Sequence, residues 1–86
     1  MTSSEQARQA LAHLQAGGLA MGPDWVLAHD LCQGHEGKRD HDLVHALCHW
    51  IEGDMANRDY WYRSVAGWTR ADSIAEEWRA IAATLR

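Results

Sequence analysis

Two residues, Gly53 and Asp54, are all that separates a stretch of helical periodicity ending near Glu52 from another opening at Met55. A connection this short forces two helices to fold back on each other as an antiparallel hairpin. The first of them shows an apolar stripe of Leu43, Val44, Leu47, Cys48 and Ile51, with Asp40 or a close neighbour expected as its N-cap. The second runs through "MANRDYWYRSVAG".

Glycine and proline divide the remaining chain in the same way. Ser3 with Gln6 offers a capping box for a helix whose Ala7, Ala10, Leu11 and Leu14 share a face and which stops at Gly17-Gly18. Pro23 and Asp24 suit the first turn of the next helix, where Trp25, Ala28, His29 and Cys32 recur at helical spacing before Gly34 or Gly37. Thr69 with Asp72 is expected to open a last helix carrying Ile74, Ala75, Trp78, Ile81, Ala82 and Leu85 on one side. No segment shows strand alternation, so the expectation is an all-α protein of about five helices in antiparallel hairpins, residues 1–86 forming a single domain.

Several function classes recede on composition. The net charge is −4 and no Lys/Arg cluster exists, which disfavours nucleic acid as a partner. No apolar run approaches the ~18 residues of a membrane span. The start "MTSSEQARQALAHL" has no signal-peptide pattern, so no membrane and a cytoplasmic location are expected. Cys32 and Cys48 form no CxxC pair and, in a reducing compartment, read as small buried hydrophobes rather than a disulfide. There is no phosphate loop or nucleophile elbow. Adjacent Cys48 and His49 diverge by about 100° on a helix, too far to act as nucleophile and base. No catalytic residue is assigned.

The stretch "HALCHWIEGDMANRDYWYRSVA" resembles a tetratricopeptide repeat. Ala46 stands where that pattern has a small residue, Gly53 and Asp54 match its turn, Tyr62 its large aromatic, and Ala66 lies one position past its late alanine. Arg58 departs from the pattern's alanine and must snorkel outward or loosen the packing. A partial copy with Asp24, Trp25 and Ala28 lies 30 residues earlier, closer than the usual ~34-residue period. Residues 25–67 also resemble a group of small uncharacterised bacterial helical proteins, through the shapes "HA-x-x-H-x-x-EGD" and "YWYR". The repeat resemblance implies a non-enzymatic protein-interaction module, its last helix serving as a cap.

"HDLVHALCHW" places His41, His45 and His49 in a band beside the apolar stripe. His45 and His49 fall at packing positions of the hairpin and are expected in a helix–helix seam near His29 and the Trp/Tyr rings, whereas His35 and His41 are expected to be solvated. His13 reads as surface or satisfied core. The polar-aromatic cluster expected to bind is His29, His45, His49, Trp50, Tyr60 and Trp61, with no cofactor; the partner is another protein or a second copy, as in a homodimer. The alternative is a small metal-binding protein holding zinc or another divalent transition metal on His29, His45, His49 and Glu52. Consecutive Tyr60, Trp61 and Tyr62 span about 200° of a helix. Tyr62 and one neighbour are expected in the core, and the third ring joins Trp50 or Trp68 in an exposed aromatic surface.

Overall fold

A computed structural model describes residues 3–85; the Ser3 side chain, and with it the expected Ser3–Gln6 capping box, lies outside the described part. It contains five helices, α1 (Ser3–Ala16), α2 (Pro23–Gln33), α3 (Arg39–Glu52), α4 (Met55–Arg63) and α5 (Ile74–Thr84), and no strand among the described residues. Helix α3 packs against each of the other four, and α1 also meets α2 and α5. No helix among the described residues is long and apolar enough to cross a membrane.

The punctuation works through identifiable hydrogen bonds. At the end of α1, Gly18 takes φ +74°, and the Gly18 and Leu19 amides donate to Gln15 O and Leu14 O. That pair of bonds satisfies carbonyls the helix would otherwise leave open. The same motif closes α3: Gly53 takes φ +87°, its amide donates to Trp50 O, and Asp54 N donates to His49 O at 2.9 Å. Asp54 then caps α4 by accepting from Asn57 N at 3.1 Å. One residue thus stops α3 and the next starts α4.

Three local expectations are corrected. Asp40 lies in the first turn of α3 rather than at its cap; Lys38 is the N-cap residue and makes no side-chain cap bond. Instead the Asp42 carboxylate reaches back to the Gly37 amide at 3.1 Å. The last helix opens at Ser73, whose side chain accepts from Glu76 N, and not at Thr69, because residues 68–72 are tied as a strap to Glu77. Ala75 is exposed, while Glu77, wholly buried, occupies the middle of the apolar stripe formed by Ile74, Trp78, Ile81 and Leu85.

Glu77 is an acceptor hub. Its carboxylate takes Tyr62 Oη–H at 2.7 Å, Trp68 Nε1–H at 2.9 Å and the Ala71 amide at 2.9 Å. Burial and the bond to Glu77 push the Tyr62 phenol well above its ordinary pKa. The α1–α5 seam is closed by Trp78 Nε1–H donating to Leu11 O at 2.9 Å and by Arg8 donating to Leu85 O at 2.8 Å.

Candidate functional site

The seam between α2 and α3 holds the histidines. Helix α3 is buried continuously from His41 to His49, so its polar residues enter the interior along with Leu43, Val44, Leu47 and Cys48. Helix α2 lies alongside with Trp25, Ala28 and Cys32 inward, and its regular turn brings His29 to the same seam. His45 Nε2 and His29 Nε2 are 3.2 Å apart, a contact in which one ring must carry the proton and donate. The His29 and His49 ring centroids are 5.1 Å apart, and those of His45 and His49 4.9 Å. One ligand nitrogen from each of the three rings lies within 4.8 Å of the others.

Aromatic walls enclose the cluster. Trp25 stacks on His29 at 4.8 Å and 9°, its own Nε1–H anchored on Cys48 O at 2.8 Å. Trp61 stacks on His45 at 4.2 Å. Tyr60 meets Trp61 edge-on at 5.0 Å and is 55% exposed. Behind His49, its Nδ1 donates to Glu52 Oε1 at 2.6 Å. Trp50 belongs elsewhere: the guanidinium groups of Arg58 and Arg70 lie over its ring at 5.1 and 4.9 Å. Arg58 therefore folds back over an aromatic face rather than reaching outward, and Trp50 and Trp68 are partly buried against the core. Of the expected binding cluster, the structure assembles His29, His45, His49, Trp61 and, at the margin, Tyr60.

Burial sets the protonation of these rings. His45 is pushed down to about 3 by burial, with the neighbouring His29 and His49 adding to it. His29 is lowered first by burial and then by His49. Taking imidazole out of water penalises the charged form, so at neutral pH His45 is uncharged and one of its two ring nitrogens offers a lone pair with little competition from protons. Its Nδ1 has no hydrogen-bond partner among the described residues.

His41 contradicts the expectation of exposure. It is fully buried, stacked beneath His35 at 4.3 Å and 15°, and neither ring nitrogen has a partner among the described residues. Burial and then the nearby His35 lower its pKa. The first turn of α3 is covered by the 34–38 turn, which position along the helix does not reveal. His13 is half exposed and pairs with Asp24 at 3.2 Å. The cysteines are free and buried; a hydrogen bond with the Cys48 thiol, then burial, raises the Cys32 thiol well above its ordinary value. A thiol held protonated is a poor nucleophile.

Trp25 as a wall of the site is not anticipated by the sequence pattern above, although its i, i+4 spacing to His29 carries the signal. Comparison with protein-family models, with curated proteins and with solved structures finds no match to this chain.

Proposed function

We propose that this chain is a small non-enzymatic metal-binding protein that holds one divalent transition-metal ion, zinc being the reference case, on His29, His45 and His49. The supporting observation is the convergence of three imidazoles from two helices, with their ligand atoms within 4.8 Å. Two nitrogens bound tetrahedrally at 2.0–2.1 Å stand about 3.3 Å apart, close to the 3.2 Å between His29 and His45. Bringing in the third takes at most about 1.5 Å of side-chain motion on the same geometry. Imidazole is a preferred ligand for zinc, copper and nickel, and neutral rings are what such a metal needs.

Protein purified without an affinity tag is expected to take up one equivalent of zinc. At free zinc 100-fold above Kd, linkage contributes about 2.7 kcal/mol, which raises Tm by roughly 10–20 °C over the EDTA-treated protein for a domain of this size. His29→Gln, at the half-buried edge of the site, is expected to weaken binding by more than the ~10- to 100-fold typical of losing an outer-shell partner, without loss of helix, since it removes one of three ligands. Elemental analysis without stoichiometric metal, together with a Tm indifferent to zinc and EDTA, overturns the reading.

A second reading, a protein-interaction module working by self-association, is favoured by a different observation. Val26 and Leu27 on α2 and Met21 just before it are each about half exposed, at 50, 49 and 53%. An apolar face of this kind is stabilised when a second copy covers it. Light scattering is then expected to give a dimer mass at high micromolar concentration; a monomer there removes this reading.

A further inference from the structure

We infer that Glu52 is a positioning residue rather than a ligand: it grips His49 from behind, so that the metal rests on three nitrogens and takes its fourth donor from solvent. The inference rests on the metal-binding reading above. Its geometric basis is the 2.6 Å bond from His49 Nδ1 to Glu52 Oε1. The two nitrogens of an imidazole point to opposite sides of the ring. With Nδ1 committed to the carboxylate, Nε2 is the nitrogen left to face His29 and His45. No fourth His, Cys, Asp or Glu among the described residues brings a ligand atom into the His29–His45–His49 group.

Local structure supports the same assignment. Glu52 follows His49 by three residues, one helical turn on, where side chains of neighbouring turns meet. The backbone there is pinned as well, because His49 O accepts from Asp54 N in the turn that ends α3. A carboxylate on the remote N–H of a ligating histidine fixes its tautomer and ring orientation and raises its basicity. The competing arrangement is also visible: His49, Glu52 and Asp54 form a second group of atoms within 4.8 Å, in which Glu52 would be a ligand and His29 and His45 would not take part.

Cobalt(II), whose visible absorption reports coordination number and ligand type, separates these cases when titrated into the full chain and its Glu52→Gln, Glu52→Ala and Asp54→Asn variants. Glu52→Ala is expected to lower affinity 10- to 100-fold, the range for loss of such a partner. Glu52→Gln, whose amide oxygen still accepts from Nδ1–H, should recover part of that loss. Bound spectra should match the parent's in all three, and Asp54→Asn, which keeps a capping side chain, should leave affinity unchanged. In metal-free protein, nitrogen NMR should show His49 as the Nδ1–H tautomer, with that preference lost in Glu52→Ala.

Unchanged affinity in Glu52→Ala overturns the positioning role while leaving the metal reading intact. An altered cobalt spectrum in the Glu52 variants, or an equal loss in Asp54→Asn, makes Glu52 a ligand and likewise overturns it. A parent protein that takes up no cobalt overturns both.

Discussion

Glu77→Ala is expected to cost about 3–5 kcal/mol, because three hydrogen bonds to a charged acceptor are lost at about 1–2 kcal/mol each. The carboxylate is wholly buried and receives Tyr62 Oη–H, Trp68 Nε1–H and Ala71 N–H. Its removal leaves three half-buried donors without their acceptor and a cavity where the side chain was. At 4–8 °C per kcal/mol for a domain of this size, Tm should fall by roughly 20 °C. Glu77→Gln, which keeps one accepting oxygen but sets an amide N–H₂ against the other donors, should fall in between. Thermal and urea unfolding followed by circular dichroism measure both; a loss below about 1 kcal/mol for the alanine variant would mean that the donors find other acceptors, a cost near that of an ordinary exposed bond.

Acid is expected to destabilise the metal-free protein well before its carboxylates titrate. His45 is held near 3 in the fold, against an ordinary histidine value of 6.5. Below 6.5 the unfolded chain therefore binds a proton that the folded chain refuses. The stability that depends on neutral His45 is complete above about pH 6.5 and drains away as pH falls toward 3, at up to about 1.4 kcal/mol per pH unit. His29 across the seam and His41 under His35 are shifted in the same direction and steepen the loss. Between pH 7 and 4.5 the expected decrease is about 2–3 kcal/mol from His45 alone. Urea midpoints of EDTA-dialysed protein across that range test it, and a flat profile from pH 7 to 5 would show that these rings gain or lose nothing on folding.

Much of the architecture is written in local signals. Gly17-Gly18, Pro23, Gly34 and Gly53-Asp54 mark boundaries because each meets a backbone requirement set within a few residues. The Gly53 turn and the Asp54 cap are therefore legible without tertiary structure. The convergence of His45 and His49 with His29 is legible too, since it follows from helical spacing on two adjacent helices.

What periodicity misses is the degree to which α3 is surrounded. A stripe identifies one buried face, whereas four helices cover α3 and take in His41 and Asp42 as well. Glu77 is hidden for a related reason: a glutamate in an amphipathic helix reads as its solvent side. Its place among Ile74, Trp78 and Ile81, at offsets of three, one and four, is the available clue. The start of α5 is displaced because two capping patterns compete there. Ser73 with Glu76 prevails over Thr69 with Asp72 once Trp68 and Ala71 are bound to Glu77.

Helix α4 buries none of its residues completely, yet it supplies the Trp61 ring that covers His45. The free energy of opening is accordingly expected to be graded along the chain. Amides in the middle of α3 are expected to exchange with solvent only when the whole domain comes apart, and those of α4 through a smaller excursion that lifts Trp61 away, a difference that residue-resolved hydrogen exchange measures. On the α4 side, the histidines are therefore expected to meet water more often than the molecule unfolds.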